Sequence, residues 1–444
     1  MRLAVWSPLP PSPSGIADYV AEQVPCLQRH AELVLVVEEP RSVDPALARS
    51  AELARPEPVP SADLHVYHLG NSPPHGYVYR AALARPGVAF LHDSNLHHVV
   101  LHETLERGDA PAYLKQMRRA YGETGAFVGR QVARALGGEL PALFPLHERV
   151  LEASLAVVGL TRHVCAVAAE LLPERPRLQL PHHAWLPAGP LPSRAEARRA
   201  LGLEAEAFVV TAPGLATASK RLDVAVRVAG RLARTDPALR LVIAGAVDPQ
   251  LPLRAWAVEA GLAERLRVTG RLSLSDFVAH LAAADVVLAL RYPSHGEMSG
   301  ALVRALAVGR PVLVSSGSTP AAELPEGVVV PIDPGPGEER QLQAALERLR
   351  ADAALRAALS SLARRHVARA HDLETGVARL AGFLAQVLER KPQLEAAVAA
   401  ARAAGTGLLG YLVDELRGPA RELGLPGAAP ALAPLLEELV GRAP

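Results

Sequence analysis

Short apolar runs, rich in β-branched residues, alternate along the chain with longer amphipathic stretches. Runs of this kind are typical of parallel strands buried on both faces, and the segments between them are typical of crossover helices. The first half contains RLAVWSP, AELVLVVEE, DLHVYHLG, GVAFLHD, LAVVGL and RLQLPHH. The second half contains AFVVTAPG, LRLVIAGA, LRVTGRL, DVVLALRYP, RPVLVSS and GVVVPID. The pattern predicts two doubly wound, Rossmann-like α/β domains of six strands each.

A proline-rich segment, LPAGPLPS at 186–193, separates the two sets of runs. We therefore predict an N-terminal domain over 1–185 and a C-terminal domain over 194–375. The strand pattern stops after about residue 375, so 376–444 are predicted to form a helical appendage that ends in a poorly ordered tail. Its helices are expected over 380–405 and 408–424.

A long helical stretch is predicted in the first domain, over Leu96–Leu136, and it contains the basic sequence KQMRRAY. One interpretation is a helical layer that covers the sheet. The alternative is a helix that faces an acceptor or a membrane surface, since basic amphipathic segments bind anionic lipid.

Composition excludes several classes of function. The 444 residues are 50% apolar and carry a formal net charge of +1, whereas proteins that bind duplex nucleic acid concentrate basic residues. Cys26 and Cys165 are the only cysteines, which argues against a disulfide framework or a zinc-thiolate site. The first residues lack the apolar run of a signal peptide, and no segment approaches 18 continuous apolar residues. We expect a soluble protein, cytoplasmic or at the inner face of the membrane.

Ligands of open α/β domains bind at the carboxyl ends of the strands, and the first candidate motif there is SPLPPSPSGIADYV. Gly15 lies between a Pro/Ser loop and a helix, where its backbone allows an anion to approach closely. Ser14 and Asp18 fit either an acceptor-side site, with Tyr19, or ordinary helix capping. A structural glycine is the alternative for Gly15.

The second motif is FLHDSNLHHVVLHE, in which His92 and Asp93 end a predicted strand and so point into a cleft. A buried structural histidine is the alternative. His98 and His102 share a helix face, as metal-binding histidines do, but no third ligand is evident. We therefore predict no metal site.

The third motif, APGLATASKRLDVAV, follows the first strand of the second domain. Lys220 lies near the start of a helix, and a lysine is a compact charge suited to phosphate. Gly214 and Arg221 are its candidate donor-binding neighbours. The alternative is a solvated pair formed by Lys220 and Arg221.

The fourth motif is HGEMSGALVRALAVGRP, which follows the run DVVLALRYP. Its helix has a nearly bare first turn, with unpaired N–H groups and the positive end of the helix dipole. Glu297 could accept hydrogen bonds from sugar hydroxyls, while Ser299 and Gly300, with Met298 beside them, hold phosphate oxygens. The spacing of Glu297 and Arg304 predicts one helix face for both. The alternative is a capping carboxylate and a surface arginine.

Together these motifs resemble glycosyltransferase family 4, whose members have the two-domain GT-B architecture, with Rossmann-like domains facing across a cleft. The similar segments are SGIADYV, LHDSN, GLATASKRLD, LVIAGAVDP, VTGRLSLSDFVAHLAAADVVLALR and GEMSGALVRALAVGRPVLVSS, in family order over residues 1 to about 375. The resemblance implies sugar transfer with retention of configuration from a nucleotide diphosphate sugar, without a metal or other cofactor. The implied acceptor is a glycan, a lipid or a small molecule.

The resemblance also implies residue roles. His92 matches a strand-end histidine near the transferred sugar, and Lys220 matches a cation that meets the diphosphate. Glu297 matches the first Glu of the E-x7-E motif, which is associated with the donor sugar. Arg304 replaces the second Glu, and a guanidinium cannot accept the usual ribose hydrogen bond. A non-catalytic protein that binds sugar nucleotides is therefore the alternative function.

Overall fold

The computed structural model describes residues 1–404, which fold as two compact units. The first unit comprises Met1–Leu180 and the described residues from Glu374 onward, and the second comprises Pro181–Leu373. Each unit is built on one parallel sheet. The prediction of two doubly wound α/β domains is therefore confirmed.

The sheet of the first unit has seven strands in the order β3-β2-β1-β4-β5-β6-β7. Six of them coincide with the predicted runs, and β3 is the unpredicted one. It is a short edge strand without a fully buried residue, so it leaves no apolar run in the sequence. The bounds are β1 Arg2–Trp6, β2 Glu32–Val36, β3 Glu52–Ala54, β4 Leu64–Leu69, β5 Val88–Leu91, β6 Ala156–Gly159 and β7 Arg177–Gln179.

Seven helices join or follow these strands within residues 1–180. They are α1 Gly15–Leu27, α2 Pro45–Ser50, α3 Gly76–Ala84, α4 His97–Glu103, α5 Ala110–Ala133, α6 Glu148–Glu152 and α7 Arg162–Leu171. The long helical stretch predicted over Leu96–Leu136 is divided into α4 and α5. A 3-10 turn at Leu105–Arg107 ends in Gly108, whose φ of 84° lies in the left-handed region and separates α4 from α5. Gly122, with φ 58°, then kinks α5.

The sheet of the second unit has six strands in the order β10-β9-β8-β11-β12-β13, and all six were predicted. Alternate residues of its central strands enter different cores: Val286 and Leu288 pack on one face, and Val287 packs on the other. The strands are β8 Phe208–Pro213, β9 Leu239–Ala244, β10 Leu266–Val268, β11 Val286–Ala289, β12 Val312–Ser315 and β13 Val330–Ile332.

Helices cover both faces of this second sheet. Residues of α9, α10 and α14 join one core cluster, and residues of α8, α11, α12 and α15 join the other. The helices are α8 Arg194–Leu201, α9 Leu222–Ala233, α10 Leu253–Glu259, α11 Leu274–Ala283, α12 Gly300–Val308, α13 Thr319–Glu323, α14 Glu338–Ala351 and α15 Ala353–Ala370.

From Glu374 onward the chain belongs to the first unit again. It forms two helices there, α16 Leu373–Glu389, whose first residue is the last of the second unit, and α17 Lys391–Ala404. Lys391 Nζ donates to the Asp63 carbonyl at 2.8 Å, and Arg175 Nη1 donates to the Leu394 carbonyl at 3.1 Å. These helices therefore pack on the first unit instead of forming a separate appendage.

The predicted boundaries at 185, 194 and 375 also differ from the divisions after Leu180 and Leu373. The reason is a pairing of two segments within the second unit, in which Ala184 N donates to the His371 carbonyl at 2.8 Å. The helix and the tail predicted after residue 404 lie outside the described residues. None of the helices within residues 1–404 combines the length and apolar character needed to cross a membrane.

A buried carboxylate fixes the start of the second unit. Asp285 precedes β11 and is 5% exposed. Its Oδ2 accepts from Arg198 Nη2 at 2.6 Å and from Val209 N at 2.8 Å. Because Arg198 is itself 1% exposed and, among the described residues, pairs with Asp285 alone, removal of the Asp285 charge would leave the Arg198 guanidinium as a buried charge without a counter-ion.

We therefore expect Asp285→Asn to lower the free energy of unfolding by roughly 3 kcal/mol. Asp276→Asn, at an exposed position in the first turn of α11, is the matched control and should cost less than about 1 kcal/mol. Denaturant unfolding of both variants gives the measurement. Equal losses of unfolding free energy in the two variants would contradict a central role for the Asp285–Arg198 ion pair.

Candidate functional site

The strand order of the second unit reverses between β8 and β11, which are neighbours in the sheet although β9 and β10 lie between them in sequence. Crossover helices leave such a pair towards opposite faces, so a crevice opens at the carboxyl ends of the two strands. A small pocket lies there. It is lined by Pro213, Lys220, Leu288, Ala289, Leu290, Arg291, Glu297, Ser299, Ala301, Leu302 and Pro320.

Lys220 reaches this pocket from the end of a 3-10 turn, Ala218–Lys220, just before α9. Its Nζ donates to the Pro213 carbonyl at 2.6 Å. Gly214 has a φ of 79°, and a Cβ at this position would lie 3.1 Å from Lys220 Nζ. Gly214 therefore serves the site both through its backbone conformation and through the space that it leaves for the ammonium group.

Burial, and to a smaller extent the positive charge of Arg291, lower the pKa of Lys220 to about 7. Near pH 7 the amine is thus divided between its charged and neutral forms. An anion in the pocket would favour the charged form.

Glu297 lies in the loop between β11 and α12. Its Oε2 accepts from His295 N at 2.6 Å, while Arg291 Nε lies 3.0 Å from Oε1. That N–H is not aligned with the oxygen, so Oε1 is buried without a hydrogen bond among the described residues. The carboxylate is thus positioned from one side and keeps an acceptor for a ligand.

The start of α12 differs in detail from the prediction. Ser299 caps the helix, with its Oγ 3.4 Å from Leu302 N, and Gly300 is the first helical residue. Glu297 precedes the helix, so the predicted shared helix face with Arg304 is wrong. Met298 is 8% exposed and packs in the core, which leaves no role for its side chain in donor binding.

The two arginines predicted to bind the donor, Arg221 and Arg304, do not line the pocket. Arg304 Nε donates to the Trp185 carbonyl at 3.1 Å. It follows Glu297 by seven positions, one fewer than in E-x7-E, and the next residue, Ala305, is buried in the core. Arg221 turns away from Lys220 and binds the buried carboxylate of Glu338, with Nε 3.1 Å from Oε2.

Arg291 is the pocket residue that the sequence analysis missed. It follows β11 at the same sheet edge as Lys220, and its backbone N donates to Ser315 Oγ at 3.0 Å. The signal was present in the run DVVLALRYP, where an arginine directly follows the apolar residues of the strand.

In the first unit the strand order reverses between β1 and β4, and the Ser14 loop lies there. Ser14 Oγ caps α1 by accepting from Ile16 N at 3.2 Å, and it lies 3.3 Å from His75 Nε2. His75 Nδ1 donates to the His68 carbonyl at 3.1 Å, and burial lowers the pKa of His75 to about 4. The neutral ring therefore accepts from the Ser14 hydroxyl. Gly15 has open space where a side chain would be.

His92 follows β5 and contacts a second buried histidine, with its Nε2 3.0 Å from His68 Nδ1. Burial lowers the pKa of His68 to about 3, so that ring is neutral. The Tyr19 and His92 rings pack edge to face, with their centroids 4.9 Å apart. Tyr19 is 1% exposed, so its hydroxyl lies inside the core and not at an acceptor-facing surface. Asp93 is half-buried beside His92, and Asp18 is exposed on α1.

His68 and His75 were not predicted as site residues. His68 lies in DLHVYHLG, whose apolar residues indicate only a strand, and His75 follows that strand in the segment NSPPHG. His102 pairs with Glu106, Nδ1 to Oε2 at 2.9 Å. Within residues 1–404 no group of three or more His, Cys, Asp or Glu side chains is arranged to hold a metal ion.

The close approach of Gly214 to Lys220 generates a test. We expect Gly214→Ala to cost about 1 kcal/mol of stability through its positive φ and also to weaken diphosphate binding, because the methyl group displaces the ammonium. Gly202→Ala is the control, since Gly202 has a φ of 62° and open space around it. Calorimetry with pyrophosphate and thermal melts measure both effects. Equal pyrophosphate affinities in the two variants would contradict the contact.

Comparison with known proteins relates part of the chain to glycosyltransferases. Residues 193–366 match the family model described as glycosyl transferases group 1. The chain is 34% identical over 190 residues to the D-inositol 3-phosphate glycosyltransferase of Saccharomonospora viridis, covering 40% of this chain and 42% of that protein. The same enzyme of Thermobispora bispora is 34% identical over 208 residues, covering 44% and 47%. The matched region thus spans less than half the length of these curated relatives.

Solved structures resemble the chain over more of its length. Sucrose-phosphate synthase from Thermosynechococcus elongatus has 15% identity and a TM-score of 0.61, covering 88% of this chain and 99% of its own. WaaG, a glycosyltransferase involved in lipopolysaccharide biosynthesis, has 18% identity and a TM-score of 0.61, covering 86% and 99%. HepE of Anabaena, solved with UDP and glucose, has 16% identity and a TM-score of 0.59, covering 87% and 100%. The chain therefore has the GT-B fold, and its residues 193–366 are similar to the glycosyl transferases group 1 family.

Proposed function

We propose that the protein transfers a sugar from a nucleoside diphosphate sugar to an acceptor hydroxyl, with retention of configuration and without a metal ion. The observation that carries the proposal is the pocket beyond β8 and β11, which both Lys220 and Glu297 line near the start of α12. Lys220 supplies a positive charge for the diphosphate, and Glu297 supplies an oriented hydrogen-bond acceptor for the sugar.

Departure of the diphosphate is the step that this pocket serves. Negative charge grows on the leaving phosphate as the bond to the sugar breaks, and preorganised positive groups stabilise that charge. Lys220 lies at one side of the pocket, and the first N–H groups of α12, which have no partner within the helix, lie at another. Removal of one such group from an active site costs on the order of 3 kcal/mol.

Glu297 is the proposed contact to the donor sugar. The Oε1 atom is buried and accepts no hydrogen bond from the described residues, although Arg291 Nε lies 3.0 Å away in an ion pair. A hydroxyl of the sugar would satisfy this oxygen with a charge-assisted hydrogen bond. The acceptor-side roles of Ser14, Gly15, Asp18 and His92 stay predictions.

The relatives guide the choice of donor. HepE is solved with UDP-glucose, so uridine diphosphate sugars are the first donors to test. The curated relatives are named for an inositol phosphate acceptor, which makes a polyol or sugar hydroxyl the first acceptor class.

A non-catalytic sugar-nucleotide-binding protein is the second candidate, and the residue eight positions after Glu297 favours it. Where the E-x7-E pattern has its second carboxylate, this chain has the buried Ala305, and the guanidinium of the preceding Arg304 donates to the Trp185 carbonyl. Binding of a donor without its turnover would distinguish this candidate from the enzyme.

The first test is release of UDP from a panel of UDP-sugars, with and without EDTA. We expect turnover that survives EDTA, a product of the same anomeric configuration as the donor, and a roughly hundredfold loss in Lys220→Ala. Arg254→Ala, an exposed substitution on α10, is the charge control. Complete loss of turnover that metal restores would overturn metal independence, and unchanged turnover in Lys220→Ala would remove this lysine from the site.

The second test separates a sugar contact at Glu297 from a structural role. Glu297→Gln keeps the size of the side chain and removes its charge. If Oε1 binds the sugar, affinity should fall about tenfold for the UDP-sugar and much less for UDP. A purely structural role predicts equal changes for both ligands, together with a melting shift. Calorimetry with the two ligands decides between these outcomes.

A further inference from the structure

We propose that Arg291 is a second cation for the diphosphate and that it couples occupancy of the pocket to uptake of a proton by Lys220. This inference rests on the proposed function and deepens it. The motifs of the sequence assign no role to Arg291.

The backbone places Arg291 firmly at the mouth of the pocket. It follows β11, and its N–H donates to Ser315 Oγ at the end of β12. Its side chain is 29% exposed, and Nε lies 3.0 Å from Glu297 Oε1. The guanidinium is therefore enclosed enough for its charge to be weakly screened and open enough to meet a ligand.

The charges around the pocket do not balance. Its charged lining residues are Lys220, Arg291 and Glu297, so two cations face one carboxylate. Within the described part of the chain, the Arg291 guanidinium makes an ion pair with Glu297 but no hydrogen bond. Its N–H donors can form a fork on two phosphate oxygens, which a lysine cannot do.

The two cations also act on each other. Burial first, and then the charge of Arg291, disfavours the protonated form of Lys220. Glu297 is the acidic group that faces them both. A diphosphate that binds between the two cations would instead favour the protonated form of Lys220, so Nζ would take a proton from solvent as the anion enters. Binding would weaken as the pH rises above about 7, because the free site must then be protonated first.

The chain offers a direct observable, because it contains only three lysines, Lys115, Lys220 and Lys391. Labelling lysine with ¹³C at Cε should give three resonances, and Lys220→Arg identifies one of them. The other two serve as internal references. Each protein is titrated with pH, free and with inorganic pyrophosphate in EDTA, and its pyrophosphate affinity is measured at pH 6, where Lys220 is mostly charged.

We expect the Lys220 titration to move to higher pH when pyrophosphate binds. In Arg291→Gln the titration of the free protein should already lie at higher pH than in the wild type, and pyrophosphate should bind about tenfold more weakly at pH 6. Arg254→Gln, which removes an exposed charge of the same unit, should change neither quantity.

Three results would overturn the proposal or one of its parts in distinguishable ways. Wild-type binding with an unchanged affinity in Arg291→Gln would reject Arg291 as a second cation and leave the proposed function standing. A wild-type protein that does not bind pyrophosphate would reject the diphosphate pocket itself, and this inference with it. A Lys220 titration that stays fixed on binding would reject the proton coupling.

Discussion

The order of the strands in the second unit is the constraint on which the candidate site depends. Because β8 and β11 are neighbours whose crossovers leave towards opposite faces, nothing in the sheet fills the space beyond their carboxyl ends. The segment after β8 brings Lys220 to that space, and the segment after β11 brings Arg291, Glu297 and the start of α12. Residues about 80 positions apart thus meet in one pocket.

Such a pocket needs a rigid frame, since charges that could relax away from each other would not be held ready for a ligand. The apolar cores on both faces of the sheet supply most of this rigidity. The hydrogen bonds that Asp285 accepts from Arg198 and from Val209 N also join the start of β11 to α8 and β8. In the loop itself, the His295 N–H holds Glu297, and Ser315 holds the backbone of Arg291.

The central strands and the domain class could be predicted from the sequence because buried parallel strands leave continuous apolar runs. The edge strand β3 could not, since its exposed residues carry no such pattern. Of the predicted site residues, Lys220, Glu297 and Ser299 line the pocket, as their positions after strands led us to expect. Met298 and Tyr19 were misplaced because a motif does not reveal which side chain the core takes. His68 and His75 depend on contacts between separate strands or on packing, which no local spacing encodes. Arg291 did leave a local signal, since it directly follows the apolar residues of its strand.

A crystal structure of the protein with bound UDP tests the central claim most directly, because it locates the diphosphate without reference to activity. The account predicts phosphate oxygens within hydrogen-bond distance of Lys220 Nζ and of the N–H groups at the start of α12, beyond β8 and β11. The surface between α9 and α14 also carries arginines, Arg227 and Arg231, which pair with Glu339. Diphosphate bound at that surface, with the β8–β11 pocket empty, would contradict the account.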